Sequence, residues 1–402
     1  MSYHVSTIFN QLFSILPKNK FDSFVGQHKA DRYTKKLSCW QQLQILLFAQ
    51  ATWKESLRDI ETWLLMHQNK WYHLWIETVA RSTLADANNN RSYEIYESLF
   101  YSLLKECNSL APPWNSWRLD SAWEMKFKFD NPLYSLDATV IELCLSMFDW
   151  AKYRKAKWAL KLHVLLNNRT TIPELIVATT WKEHEVTIAQ KKNTFNLQPE
   201  SILVFDRWYI DYSWFNSLNN NNIYFLSRIK KNTNYFVVWK HKEPNEPWII
   251  SDEVIAFFSN NWLEDYKKDL RLVTYYDKEK DKVYKYMTNN FTLSAKTIAD
   301  IYKDRWQIEL FFKWIKQNLK IKSFLWTSKN AVLTQIWIAM IYYLILCYLK
   351  FKARMDSSLL EITRMIQEVI FERIALIHII NIPLTKIIKI KKILDPPQLS
   401  LL

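Results

Sequence analysis

The chain has 402 residues, of which 49% are hydrophobic, and a formal net charge of +14 at pH 7. This length allows two or three domains with their own cores, and the positive charge indicates an anionic partner, either nucleic acid or an anionic membrane. The cysteines are few and far apart, without a CxxC pair, and no basic segment precedes an apolar run at the N-terminus. These features argue against a disulfide-rich secreted protein, and we expect free thiols in a reducing compartment.

Residues 1–125 are predicted to form an all-helical N-terminal domain. Apolar residues recur at helical spacing around 43–47 and 57–65, and the strongest break is the Ala-Pro-Pro sequence at 111–113. Basic residues are scattered through this region; the family resemblance given below implies a DNA-binding domain here, and an unspecialised helical domain is the alternative. They include Arg32, Lys35, Lys36, Lys54, Arg58, Arg81 and Arg91.

Residues 130–350 are predicted to form an α/β domain. Strands are expected at 133–137, 159–166, 175–179, 202–205 and 223–226, and helices at 185–192 and 212–218. Three strands, a helix, a strand, a helix and a strand is the order of an RNase H-like catalytic core. Residues 230–290 are rich in β-branched and aromatic residues and predict a β-rich insertion in this core, while residues 351–402 predict a helical, basic tail.

An apolar run at 336–349 is the longest in the chain. It is shorter than the roughly 20 residues that span a bilayer, and Gln335 and Lys350 flank it. We therefore expect a buried helix packed behind the helix at 301–320, and no membrane partner.

The segment 301–320 has two stripes at helical spacing and predicts one amphipathic helix. The apolar stripe would face the core, and the polar stripe places one carboxylate between a phenol, a guanidinium and several ammonium groups. Such a face suits a catalytic acid flanked by contacts to a phosphate backbone; a solvated charged face is the alternative. The apolar stripe is Ile301, Ile308, Phe312, Ile315 and Leu319, and the polar stripe is Tyr302, Arg305, Glu309, Lys313, Lys316 and Lys320.

Two aspartates follow short apolar strands. Asp137 follows 133–136, and Asp206 follows 202–205 and precedes Arg207. Ligand sites in open α/β sheets lie at the carboxyl ends of strands, so both are candidate site residues, although a turn or cap role is the alternative for each. His163, inside an apolar strand, is expected to be a core histidine.

A basic segment at 150–161 contains no acidic residue. It follows the first aspartate strand, so we expect it to reach the same edge of the sheet and contact phosphates; a solvated loop is the alternative. Its candidate DNA-binding residues are Lys152, Arg154, Lys155 and Lys157.

Tyr302, Arg305, Glu309 and Lys316 have the spacing Tyr-x2-Arg-x3-Glu-x6-Lys. This resembles the signature of the insertion-sequence-4 family of DDE transposases, and Asp137, Asp206 and Glu309 are similar in order and context to that family's acidic triad. The resemblance implies that these three residues are catalytic and bind two Mg²⁺ or Mn²⁺ ions. Such a triad suits phosphoryl transfer, since Mg²⁺ prefers carboxylate oxygens.

The same resemblance implies the partners of the protein. It would act as a transposase of an insertion sequence on terminal inverted repeats and target DNA, as a homodimer in the DNA complex, in the bacterial cytoplasm at the nucleoid. The residues at 302, 305, 313, 316 and 320, the basic segment and Arg207 would contact DNA. A structure-selective nuclease with the same triad and an inactive DNA-binding derivative are the alternatives. A strand-transfer assay separates the transposase from the nuclease.

The composition has one anomaly, a single glycine against 20 tryptophans. Average usage predicts about 28 glycines in a chain of this length. Trp181, Trp208 and Trp326 stand in turn-like settings where the family has glycine. We therefore hypothesise that UGA codons for glycine are read here as tryptophan; UGG at these positions and at Trp53 would exclude it. A genuine Trp208 could close the site beside Asp206, which would argue against activity.

Overall fold

The computed structural model describes residues 6–71, 78–111, 127, 129–142, 159–180, 197–241, 246–257, 268–318, 328–355 and 357–376. The chain divides into two compact units. The first comprises residues 1–112 and 318–402, and the second comprises residues 113–317. The domain boundaries expected from the sequence stay a prediction.

The first unit is helical in its described part. Serine side chains cap several of its helices: Ser38 and Ser358 form capping boxes, and Ser328 accepts a hydrogen bond from the Ala331 N–H. The helices are α1 (Ile8–Phe13), α2 (Lys18–Gln27), α3 (Cys39–Ala51), α4 (Leu57–Met66), α5 (Gln68–Trp71), α6 (Arg81–Asn90), α7 (Glu94–Leu110), α11 (Lys329–Lys352) and α12 (Leu359–Val369).

Helix α11 is the apolar segment predicted to be a buried helix. It is long and apolar enough to cross a bilayer, but 94% of its most apolar window is buried inside the protein, as in the core helix of a globular unit. It packs on α3, α6, α7 and α12 within the first unit. Burial is therefore confirmed, and the helix belongs to the unit of the N-terminal helices.

The described part of the second unit contains a nine-stranded sheet in the order β3-β2-β1-β4-β5-β9-β8-β7-β6. Helix α8 (Tyr212–Asn220) lies between β4 and β5 in the chain, and α9 (Ala295–Asp304) and α10 (Trp306–Asn318) follow the sheet. The strands are β1 (Leu133–Glu142), β2 (Ala159–Asn167), β3 (Pro173–Thr180), β4 (Ile202–Phe205), β5 (Tyr224–Arg228), β6 (Tyr235–Lys240), β7 (Ile249–Phe257), β8 (Leu270–Asp277) and β9 (Lys282–Thr288).

Strands β1 to β5 match the expected positions within a few residues, and α8 matches the predicted helix at 212–218. Strands β1, β4 and β5 are parallel, whereas β2 pairs antiparallel with both β1 and β3. This arrangement fits the RNase H-like core expected from the sequence. The helix expected at 185–192 lies outside the described residues.

The predicted insertion is β-rich, and its strands continue the same sheet. Strand β9 pairs antiparallel with β5, and β8, β7 and β6 follow. A buried ion pair fixes this extension: Arg271 on β8 donates to both carboxylate oxygens of Asp252 on β7, at 2.8 and 2.7 Å. Arg271 also donates to the Leu293 carbonyl at 2.6 Å, which ties the insertion to the segment that leads into α9.

The sequence predicted one continuous helix at 301–320, and this is wrong at one residue. Helix α9 ends at Asp304 and α10 begins at Trp306, so the helical hydrogen-bonding pattern is interrupted at Arg305, whose backbone stays right-handed (φ −50°, ψ −26°). Buried Asn168 donates to the Asp304 carbonyl at 3.2 Å and to its carboxylate at 2.9 Å, which holds the chain at the break. The apolar stripe is buried as expected at Ile308, among others, and Leu319 lies outside the described residues.

Two tryptophans adopt the left-handed backbone conformation that favours glycine. Trp53 has φ 54° and Trp248 has φ 71°. A bulky side chain is a genuine outlier in this region because its Cβ approaches the following carbonyl. This geometry supports the hypothesis that some tryptophans occupy glycine positions, while the codons remain its decisive test.

We predict that Trp248→Gly is more stable than Trp248→Ala by about 1–2 kcal/mol, because both lose the indole but only glycine relieves the backbone. Trp314, inside α10, is the matched control. There the glycine variant should be less stable than alanine by about 1 kcal/mol. Urea unfolding of the four variants measures both differences, and equal stability of the two Trp248 variants would contradict the strain.

Candidate active site

Asp137 and Asp206 lie side by side because of the register of the sheet. Strands β1 and β4 are parallel, and their last paired residues are Leu136 and Phe205. The residue that follows each of them in the chain is an aspartate. The expectation that Asp137 ends its strand is wrong, because β1 continues to Glu142 by pairing with β2, where Asp137 lies opposite Val164.

The turn after β4 is held by buried polar contacts. Asp206 caps a short 3-10 helix, Arg207–Tyr209, by accepting a hydrogen bond from the Arg207 N–H at 2.6 Å. The buried Tyr209 hydroxyl lies 3.2 Å from His163 Nδ1, and His163 Nε2 lies 3.2 Å from the Thr179 hydroxyl. His163 is thus a core histidine, as predicted, and it anchors this turn to β2 and β3.

Arg305, at the helix break, links two of the acidic residues. Its Nη1 donates to Asp137 Oδ2 at 2.7 Å and its Nη2 donates to Glu309 Oε1 at 2.6 Å. The Arg305 side chain is only 11% exposed, so the guanidinium end of these charge-assisted bonds is largely buried. One guanidinium therefore brings the helix carboxylate and the strand carboxylate to a common site.

Arg228 is a site residue that the sequence reasoning missed. It is the last residue of β5, and its Nη2 lies 3.1 Å from Asp206 Oδ1 and 3.4 Å from Asp206 Oδ2. Strand β5 is parallel to β4. A charged residue at the carboxyl end of the strand next to the Asp206 strand is the signal that was available.

Tyr302 lies beneath both arginines. The guanidinium carbons of Arg228 and Arg305 each lie 5.7 Å from its ring centroid, a cation–π arrangement. Its ring also stacks on Tyr286 of β9, with centroids 4.7 Å apart. Tyr302 is therefore a buried platform that connects the inserted strands with the acidic site, and its predicted contact with DNA stays a prediction.

Charge and burial together shift the pKa values of the two aspartates in opposite directions. Burial raises the pKa of Asp137, with Asp206 and Glu309 adding to the rise, against the opposing effect of the Arg305 guanidinium. Burial also acts to raise the pKa of Asp206, but the Arg207 N–H and the Arg228 guanidinium outweigh it and hold that pKa below its ordinary value. Perturbed carboxylates with named charged partners are typical of functional sites.

The carboxylates suit divalent cations chemically, because hard ions such as Mg²⁺ prefer carboxylate oxygens. Their present arrangement is not a coordination shell, since guanidinium groups lie against all three. Within the described ranges, no group of three or more His, Cys, Asp or Glu side chains is placed to hold a metal ion. The carboxylate oxygens are thus of the donor type that divalent ions prefer, whereas the observed counter-charges are arginines.

The remaining predicted DNA-binding residues fall into two groups. In the first, Arg207 is half-buried beside Asp206, Lys313 is exposed on α10, and Lys316 is half-buried in the last turn of that helix. The second group lies outside the described residues and comprises Lys320, Lys152, Arg154, Lys155 and Lys157.

Trp208 does not close the site as the sequence suggested. It belongs to the 3-10 helix after Asp206, and its side chain is 66% exposed. The indole therefore lies largely in solvent rather than filling the space beside the carboxylate.

Comparison with known sequences gives two family matches. A transposase DDE domain matches residues 128–345, which include all three acidic residues. A domain of unknown function matches residues 4–77.

Three relatives are named as transposases. The y4zB protein of Sinorhizobium fredii is 30% identical over 59% of this chain, the protein for insertion sequence element IS5377 of Geobacillus stearothermophilus is 26% identical over 67%, and that for IS4SA of Synechocystis is 28% identical over 75%. The matched segments span 66%, 67% and 81% of those relatives' own lengths. A solved structure, the piggyBac transposase synaptic complex with hairpin DNA, aligns with 97% of this chain and 80% of its own chain. The TM-score is 0.42 and the sequence identity is 10%, a likeness too distant to support an argument.

We predict that Arg228→Gln raises the pKa of Asp206, because it removes the guanidinium that favours the charged carboxylate. Titration of the Asp206 carboxyl carbon by NMR measures the change. Arg207→Gln is the matched control: the contact of Arg207 with Asp206 is through its backbone N–H, which the substitution keeps. An unchanged pKa in Arg228→Gln would show that the pair at 3.1 Å does not persist in solution.

Proposed function

The chain belongs to the DDE transposase family, since the transposase DDE domain matches more than half of it. On that premise we propose that it cleaves DNA at the ends of an insertion sequence and joins the freed ends to target DNA. The observation that carries this proposal is the convergence of Asp137, Asp206 and Glu309 around Arg228 and Arg305. The acids come from two strands and a helix that are distant in sequence.

Asp137, Asp206 and Glu309 would be the catalytic residues and would hold two Mg²⁺ or Mn²⁺ ions. When bound there, such ions supply activation of an attacking oxygen and neutralisation of the charge on the leaving oxygen. The carboxylate oxygens support this assignment as the donor type that these ions prefer. The protein provides no nucleophile in this scheme.

The chain's own residues would position the DNA strand at the triad. Arg305 and Arg228 are fixed by their carboxylate partners and by the Tyr302 ring, so their remaining donors can be directed at a phosphate with little loss of side-chain entropy. Holding the scissile phosphate beside the acids converts the reaction to an effectively unimolecular step. Tyr302 would thus act as a positioning residue under both guanidinium groups.

Other basic residues would add contacts to the phosphate backbone of the DNA. Exposed Lys313 and half-buried Lys316 follow Glu309 on α10 at helical spacing, and Arg207 flanks Asp206. Lys320 and the basic segment at 150–161 would add further phosphate contacts. Such contacts fix register on DNA without reading its sequence.

We further infer membership of the insertion-sequence-4 subgroup with its Tyr-Arg-Glu-Lys signature. The shared site of Tyr302, Arg305 and Glu309 supports it, because Arg305 contacts both the Glu309 carboxylate and the Tyr302 ring. The proposal includes terminal inverted repeats and target DNA as substrates, a helical N-terminal domain that binds the element ends, a homodimer in the DNA complex, and action in the bacterial cytoplasm.

A structure-selective nuclease with the same triad is the second candidate function. It would cleave the same DNA but release it without joining. A strand-transfer assay with precleaved ends and a supercoiled target separates the two, because only a transposase yields joined products. An inactive derivative would give neither cleavage nor joining.

We predict that Glu309→Gln lowers cleavage of element ends at least about a hundredfold, because it removes a charged ligand while keeping the size of the side chain. DNA binding should survive, since the basic residues are unchanged. Gel assays of cleavage and binding on the same DNA measure both. Glu279→Gln, in the exposed turn after β8, is the matched control and should cleave normally. Undiminished cleavage by Glu309→Gln would remove it from the triad.

We predict that Lys316→Ala, unlike Glu309→Gln, weakens binding of the same DNA and makes its salt dependence less steep by about 0.9 in log–log slope, because the variant cannot neutralise one of the backbone phosphates. Fluorescence anisotropy across a KCl series measures the slope. An unchanged slope would exclude a phosphate contact by this residue.

A further inference from the structure

The loop between α2 and α3, residues 28–37, forms an exposed basic surface on the first unit. Five consecutive residues from Arg32 to Lys36 are exposed, and Lys29 is exposed as well. The loop thus presents four cationic side chains, Lys29, Arg32, Lys35 and Lys36. None of the four forms an ion pair with a carboxylate in the part of the chain that the structure describes.

Tyr33 projects from the middle of this loop. Its side chain is 85% exposed, and its backbone is left-handed, with φ 67°. The guanidinium carbon of Arg32 lies 5.0 Å from the ring centroid. An exposed aromatic ring on a left-handed backbone points to a role in contact with a partner, since neither feature stabilises the isolated fold.

The loop is anchored from below by buried polar groups. The Arg91 guanidinium donates to Gln42 Oε1 at 2.7 Å, to the Leu37 carbonyl and to the Thr34 hydroxyl at 3.4 Å. Gln42 is fully buried and donates to the buried Asn88 amide oxygen at 2.7 Å. This network joins the loop to α3 and α6 and fixes the backbone from which the lysines project.

A second contact closes the loop at its carboxyl end. Asp31 Oδ1 accepts a hydrogen bond from the Cys39 N–H at 2.8 Å and lies 3.6 Å from Arg91 Nη2. The only acidic residue of the loop is therefore engaged in holding its own fold. Its charge is directed to the base of the loop, which leaves the outer face cationic.

The loop and α6 enclose an open cleft of about 670 Å³. Lys35, Lys36, Tyr33 and Asn90 are among its lining residues, and Asp86 lines it from α6. Cationic and amide donors around an open groove with an aromatic ring at its rim suit a sugar–phosphate backbone with an adjacent base. An anionic membrane is less well matched, because Leu37 is buried and the loop offers no aliphatic residue for insertion.

We propose that residues 28–37 form a DNA contact of the N-terminal helical unit, in which the lysines and Arg32 bind backbone phosphates and the Tyr33 ring packs on a base or sugar. This contact rests on the proposed function, because it takes DNA as the partner. It gives a specific role to a segment within the domain of unknown function at residues 4–77. It lies in the first unit, whereas the acidic site lies in the second.

The test uses the full chain carrying Glu309→Gln, so that DNA is bound without being cut. A labelled mixed-sequence duplex is titrated by anisotropy between about 50 and 200 mM KCl, where phosphate contacts dominate the change in affinity. The variants are Lys35→Gln with Lys36→Gln, Tyr33→Ala and Tyr33→Phe. The matched control is Lys18→Gln with Lys20→Gln, which removes two exposed lysines that are ion-paired to Asp22 and Glu106.

The phosphate and ring contacts have different signatures. The Lys35 and Lys36 double variant should make the log–log slope less steep by about 0.9 for each phosphate that it no longer neutralises, and the corresponding double arginine variant should restore it. Tyr33→Ala should weaken binding on the order of 5- to 100-fold at every salt concentration without changing the slope, and Tyr33→Phe should keep the affinity. Thermal unfolding of each variant verifies that the exposed substitutions leave the fold intact.

The inference is overturned if the Lys35 and Lys36 variant has the slope and affinity of the control pair. It is equally overturned if Tyr33→Ala binds as tightly as Tyr33→Phe. In either case normal cleavage by the chain with Glu309 intact would leave the proposed function standing. If the chain carrying Glu309→Gln alone showed no salt-dependent DNA binding, both this inference and the proposed function would be wrong.

Discussion

Three carboxylates brought together at a partly buried site repel one another, and the placement of two arginines around them is the constraint on which the second unit depends. Arg305 binds Asp137 and Glu309, and Arg228 binds Asp206. Unpaired charges in such an environment would be costly, because desolvation penalises each ionised form. The fold must therefore deliver two guanidinium groups to the same place as the acids.

Several features of the fold serve this requirement. The helix interruption at Arg305 lies between the Tyr302 ring and Glu309, and the contact of Asn168 with Asp304 holds it. The inserted strands contribute through Tyr286, whose ring supports Tyr302 from the side of the sheet extension. The insertion is thus connected to the acidic site by aromatic stacking as well as by strand pairing.

The high tryptophan content raises the question of whether the backbone strain at some tryptophans belongs to the natural protein. The left-handed conformation at Trp53 and Trp248 is what a fold shaped for glycine would impose on any residue placed there. This strain does not occur in the helical part of the acidic site, because the segment from Tyr302 to Lys316 contains no tryptophan with a positive φ. Trp208, beside Asp206, points largely into solvent, so it leaves the carboxylate accessible.

By itself, the sequence determined the strands β1 to β5, the β-rich character of the insertion and the buried helix α11, because periodicity and composition reflect local burial. The three acidic residues that the structure brings together were singled out by motif spacing and its resemblance to a family signature, and their catalytic role stays a proposal. Tertiary structure alone decided that Asp137 lies within a longer strand, that the helix breaks at Arg305 and that Arg228 joins the site. Each depends on a partner distant in the chain, respectively β2, Asn168 and the neighbouring strand β4, and no local pattern encodes such pairings.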